Sequence, residues 1–253
     1  MLQNTSAAPG RLRTLNLVMA ALHAAQAVAV LALSNNFALP VTATFLEGPP
    51  GVDQPTLTTW FHLNLGYGVA AFLLLSAAAH LIIASPTIYP WYLRNLHEGR
   101  NYARWIEYSL SASLMIVLIA MLSGIGDIAA LVALFGVNAS MILFGLLMEH
   151  YERPGEANWL TFWLGSLAGL VPWIAIGIYF ISPGSEASPP GFVLAIYISL
   201  FIFFNSFALN MALQYARIGP WRSYLYGERA YILLSLISKS ALAWQVFAGA
   251  LAA

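Results

Sequence analysis

Seven stretches of this chain are long enough and apolar enough to cross a lipid bilayer. They run over Leu12–Ser34, Thr58–Ala84, Asn101–Ser123, Asp127–His150, Trp159–Ile181, Gly191–Ala216 and Gly227–Leu251. A helix needs about 20 mostly apolar residues to span about 30 Å of hydrocarbon. Lipid offers the backbone no hydrogen-bond partners, so such stretches fold as helices. Composition agrees: 60% of the 253 residues are hydrophobic and 8% are charged, against about 25% charged in a soluble domain. The expected fold is an all-α membrane protein, one seven-helix bundle over residues 1–253 with no separate soluble domain. The polar, uncharged segment before the first span lacks a signal-peptide layout. A formal net charge of zero argues against a nucleic-acid partner. With no cysteine, disulfides, thiol nucleophiles and thiolate metal sites are excluded.

The connections carry further information. Ser123–Gly126 is so short that the third and fourth spans must be antiparallel neighbours. Asn35–Leu57 is the longest, and its alternating run Pro40–Leu46 reads as one strand of a small hairpin. Pro172 predicts a kink in the fifth span. Arg11, Arg13, Arg94, Arg100, Arg104, Arg153, Arg217, Arg222 and Arg229 all fall on the side of the N-terminus. The opposite side has only Glu47, Asp53, Asp127 and Glu186. The positive-inside rule therefore predicts a cytoplasmic N-terminus and an extracellular C-terminus, in a multi-pass protein of the cell membrane. The glycosylation pattern Asn4-Thr5-Ser6 is discounted on the same ground.

Lys239 is the only lysine, and it lies in the middle of the last span. A charged amine at that depth costs roughly 2.5–3.5 kcal/mol on insertion scales. It needs a carboxylate partner or a chemical modification, and a desolvated lysine amine can form a Schiff base with an aldehyde. Few other ionisable residues lie away from the span ends: His23, His80 and Glu107, with His62, Arg104 and Glu149 nearer the ends. Glu107 matches Lys239 in depth, and Ser235 sits one turn before the lysine on the same helical face. Two readings stay open on residues alone: a structural buried Lys–Glu pair, or a functional amine with its counterion. Plainer readings apply elsewhere. Glu149, Glu152 and Glu156 form a solvated face, His62 and His150 are interfacial, and the stripe Phe203, Phe204, Phe207 is helix packing. His23 and His80, each taken alone, read as hydrogen-bonded core histidines.

The local sequences narrow this. Arg104-Trp105-Ile106-Glu107-Tyr108-Ser109-Leu110-Ser111, Phe135-Gly136-Val137-Asn138-Ala139-Ser140-Met141, Phe203-Phe204-Asn205-Ser206-Phe207-Ala208-Leu209, and Gly227 through Gln245 with Lys239 inside it resemble heliorhodopsin. The resemblance covers essentially the whole chain. It implies a seven-transmembrane-helix rhodopsin bundle of inverted topology, with a β-hairpin in the first extracellular loop. It implies all-trans retinal bound covalently at Lys239 as a Schiff base, with Glu107 as counterion and Ser235 beside it. Tyr108, Ser111, Asn138, Met141, Trp163, Phe204, Phe207, Met211 and Ser238 fall where pocket residues are expected. His23, His80 and Arg104 fall in the family's proton network, and the hairpin supports a homodimer.

Rhodopsins that pump protons place a hydroxyl four residues after the counterion and a donor carboxylate eleven residues after it. Here those positions are Ser111 and Leu118, and the residue four before the lysine is Ser235 where pumps have Asp. The expectation is a light-sensing photoreceptor with a slow photocycle that signals by conformational change without net ion transport, and not an enzyme. The competing readings are a light-driven ion transporter or channel, and a light-dependent regulator of a cytoplasmic enzyme or other signalling partner.

Overall fold

The computed structural model describes residues 8–52, 55–181 and 189–252. Asn4, Asp53 and Glu186, used above, lie outside them. Helix α1 (Ala8–Leu33) leads into a hairpin of β1 (Ala38–Phe45) and β2 (Thr56–Asn64). Then follow α2 (Leu65–Ala84), α3 (Tyr89–His97), α4 (Tyr102–Leu122), α5 (Ile128–Tyr151), α6 (Leu160–Ile181), α7 (Gly191–Tyr215) and α8 (Tyr224–Val246). All but α3 meet the length and hydropathy of a membrane span, with the last running on through a π-helical turn to Leu251. The protein is a seven-span bundle, as the apolar stretches predict.

Two span boundaries and one additional helix differ from the sequence reading. The second span starts at Leu65, not Thr58, because Thr56–Asn64 is rich in β-branched and aromatic residues and pairs with β1. Asn64 then caps the helix, accepting from the Tyr67 amide at 3.1 Å. The last span begins at Tyr224, a turn earlier than Gly227. Helix α3, which hydropathy does not reveal, is short and amphipathic. It starts with Pro90 in its first turn, ends with Arg94 and His97, and buries Tyr89, Tyr92 and Leu96 against the end of the bundle.

The hairpin lies against the turn between α4 and α5. Its strands are antiparallel with a bulge at Val41/Thr42, and the Thr42 amide donates to the Gly126 carbonyl at 2.8 Å. Val41 and Ala43 are buried, while most of β2 is exposed. The short α4–α5 connection makes those helices antiparallel neighbours, as expected, and Asp127 caps α5 through the Ala130 amide. Pro172 is buried within α6.

The core divides along the membrane normal. Toward the hairpin, α4 presents seven consecutive buried residues without a polar side chain, Met115 to Met121, packed with Phe72 and Leu73 of α2 and Leu242 and Val246 of α8. Gly68 lets α2 approach closely here, since a Cβ would fall 2.7 Å from Leu118 Cδ2. Toward the N-terminal end of the bundle the buried set turns polar, with Asn16, His23, Ser76, Asn101, Arg104, Glu149, Glu228 and Lys239.

Candidate functional site

Helix α8 brings Lys239 to the middle of the bundle with 3% of its side chain exposed. Its Nζ donates to Glu107 Oε1 at 2.8 Å and to Ser235 Oγ at 3.1 Å. The two carriers of opposite charge are 132 residues apart in sequence. The depth match drawn from hydropathy is thus a direct ion pair, and the i−4 serine completes it. Sequence reasoning missed a fourth member: Ser76 Oγ of α2 donates to the same Glu107 oxygen at 2.7 Å. Its signal was only a hydroxyl in an apolar helix. The Tyr108 ring closes the site, its centroid 5.1 Å from Nζ.

Lys239 stands in the wall of a cavity whose space, open mouth included, is about 820 Å³. The lining is apolar and aromatic, from α4, α5, α6, α7 and α8, with few hydroxyls. Of the residues expected there, Tyr108, Met141, Phe204, Phe207, Met211, Ser235 and Ser238 do line it. Phe204 and Phe207 were given above a packing role as a stripe and a pocket role by resemblance; they line the cavity. Three expected residues stand elsewhere. Trp163 points outward with 65% exposure, while its neighbour Phe162 lines the cavity. One position is a rotation of about 100° on a helix, which takes a side chain from cavity to lipid. Asn138 is fully buried behind the wall, donating to Ser113 Oγ at 3.0 Å. Ser111 is fully buried one turn beyond Glu107, outside the lining.

On the other side of Glu107 lies a smaller polar cavity bounded by Asn16, His80, Tyr92, Asn101, Arg104 and Glu228. His80 Nδ1 is 2.7 Å from Asn16 Oδ1. The His23 and His80 rings stack at 5.8 Å, 11° from parallel. The two histidines are therefore one unit, beside the ion pair.

Arg104 is the centre of a second charged group. Its guanidinium pairs with Glu149 and with Glu228, all three nearly fully buried. The solvated-face reading of Glu149 is therefore wrong. It fails because α5 turns that residue inward, where it accepts from the Asn101 amide at 2.9 Å, Trp105 Nε1 at 2.6 Å and Tyr224 Oη at 3.2 Å. Glu228 accepts from Asn101 Nδ2 at 2.5 Å and Tyr92 Oη at 3.3 Å. The Arg104 guanidinium also lies over the rings of Tyr231 and Trp105, at 4.0 and 4.6 Å.

Residues 12–251 match the family model described as Heliorhodopsin. The chain belongs to the heliorhodopsin family. Heliorhodopsins are membrane rhodopsins, retinal photoreceptors of seven spans, and the architecture above is theirs. Comparison with curated protein sequences gives no match. Among solved structures the fold is similar to the crystal structure of a light-driven proton pump from Leptosphaeria maculans. That similarity has a TM-score of 0.64 at 15% identity, over 96% of this chain and 96% of that one. At that identity the likeness is one of fold alone. The amine, the single carboxylate and the apolar cavity beside them fit a retinal aldehyde, which needs a nucleophile, a counter-charge and an apolar sleeve.

Proposed function

We propose that this protein is a light-sensing photoreceptor that holds all-trans retinal on Lys239 and signals by conformational change without net ion transport. The observation that carries the reading is Lys239 in the wall of an aromatic cavity, paired with one buried carboxylate at 2.8 Å. Retinal held on Lys239 would supply visible absorption and a light-driven change of shape.

The chain's residues do the rest. Glu107 holds the positive charge at the lysine nitrogen, because two opposite charges in low dielectric stabilise each other's ionised forms. Ser76 and Ser235 set the polarity around that pair through their hydrogen bonds. Beyond those two serines, the stacked His23 and His80, with Asn16 hydrogen-bonded to His80, would take part in rearranging a proton if the nitrogen moved away from Glu107. Loss of the charge pair then biases the helices toward another packing.

One feature of the core supports a sensor over a transporter. The position of a pump's donor carboxylate is Leu118, fully buried, inside the apolar run Met115 to Met121 of α4. The Arg residues all lie on the N-terminal side, which supports a cytoplasmic N-terminus. The exposed face of the hairpin, with Leu57 at 68%, Trp60 at 55% and Phe45 stacked on Trp60, supports a homodimer built on it. Light scattering of the purified protein would show a single chain if that is wrong.

Purified protein mixed with all-trans retinal should become coloured. Glu107→Gln should move its visible band to longer wavelength, since a weaker counter-charge lowers the excitation gap. An unmoved band removes Glu107 from the counterion role. Illuminated cells or vesicles carrying the pigment should show no light-driven pH change or photocurrent, and a sustained one would establish transport instead.

A further inference from the structure

Trp105 belongs to two parts of the molecule at once. Its ring lines the cavity that contains Lys239. Its indole Nε1 donates to Glu149 Oε2 at 2.6 Å, inside the Arg104 cluster. Tyr231 also lines the cavity and also underlies Arg104. Among the described residues, though, Trp105 is the one cavity ring that hydrogen-bonds to a carboxylate of that cluster.

The ring reaches this place because residue 145 has no side chain. A Cβ on Gly145 would fall 2.5 Å from Cζ3 and 2.6 Å from Cη2 of Trp105, so no larger residue fits with the ring where it is. Gly145 lies inside α5 with ordinary helical backbone. Glycine weakens a helix there, and close approach of the ring is what needs it. Glu149 is four residues further on, on the same helical face. One face of α5 thus provides the floor for the indole ring and the acceptor for its N–H.

We propose that Trp105 is a positioning residue that passes movement within the cavity to the Glu149–Arg104–Glu228 cluster, and that Gly145 sets its place. The proposal rests on the retinal reading above. An indole is rigid, so displacing its cavity face displaces its N–H equally. A shift of about 1 Å takes a 2.6 Å contact out of hydrogen-bond range. Glu149 Oε2 then keeps only the Asn101 amide as donor among the hydrogen bonds described. The cluster joins the start of α4, the end of α5, the start of α8 and, through Tyr92, α3. Loosening it would be felt where those elements meet the N-terminal face of the membrane.

The test is light-minus-dark infrared spectroscopy of the full-length pigment, reconstituted with all-trans retinal. Wild type should show a carboxylate band that vanishes in Glu149→Gln. Trp105→Phe, which keeps a ring in the wall but removes the donor, should reduce that band several-fold relative to the retinal bands of the same difference spectrum. An undiminished Glu149 band in Trp105→Phe, or no such band in wild type, overturns the proposal. Should Trp105→Phe not fold, ultraviolet resonance Raman of wild type decides: an indole N–H hydrogen bond unchanged by light overturns it. In retinal-free protein, Gly145→Ala should shift that indole signal toward a weaker bond, and an unmoved signal removes Gly145 from its part. If wild type forms no pigment, the retinal reading fails and this one with it. A pigment that responds to light without the Trp105 dependence defeats this proposal alone.

Discussion

Lys239→Ala is expected to stay colourless when all-trans retinal is added, with only the near-ultraviolet absorption of the free aldehyde. The chain has no second lysine to substitute for it, so the visible band should vanish entirely and not merely weaken. The variant also leaves Glu107 buried without its cation, and that alone can disturb folding. The double variant Lys239→Ala/Glu107→Gln separates the two effects. It removes both charges, keeps the hydrogen-bond partner of Ser76, and should fold while remaining colourless. Absorption spectra of the two variants beside wild type read the result. A visible band in either variant would show that retinal is held elsewhere, or that the lysine is a purely structural half of an ion pair.

The second large effect concerns stability. Arg104 is the one guanidinium between two carboxylates, and all three side chains are at most 3% exposed. Arg104→Met fills a similar volume but leaves Glu149 and Glu228 buried without a cation. Breaking a buried pair in this way costs about 3–5 kcal/mol. The rings of Tyr231 and Trp105 would lose their cation contact as well. The remaining donors, Asn101, Trp105, Tyr92 and Tyr224, are neutral and cannot cancel the charge. Replacing all three members, Arg104→Met with Glu149→Gln and Glu228→Gln, removes the unpaired charges and should recover much of the loss. Reversible denaturation in mixed micelles measures both variants. An Arg104→Met protein within about 1 kcal/mol of wild type, the range of ordinary substitutions, would mean that the two carboxylates carry no net burden without their partner.

Much of the molecule could be read from local sequence. Hydropathy over windows of about 20 residues locates spans because lipid acts on each helix separately, whatever it packs against. The same holds for the arginine asymmetry, for the antiparallel α4–α5 pair forced by a short turn, and for an amine stranded at bilayer depth. The strand Thr56–Asn64 escaped because it runs directly into α2, and its Trp60, Phe61 and Leu63 let the start of that apolar span be drawn back over it. Pairing with β1 decides between strand and helix, and that pairing is not local.

The site divides along the same line. The sequence by itself determined that Lys239 needs a partner, that Glu107 and Ser235 have the right depth and face, and that Leu118 breaks a pump's pattern. Depth and helical phase are properties of a single helix, so one chain suffices to read them. Only the tertiary structure decided that Ser76 shares Glu107, that Trp163 faces outward where Phe162 faces in, and that Glu149 is buried on Arg104. It also decided that Gly145 makes room for Trp105. Each of these depends on the rotation of one helix against another. A rotation of about 100°, one residue's worth, exchanges cavity for lipid without changing the hydropathy of either helix.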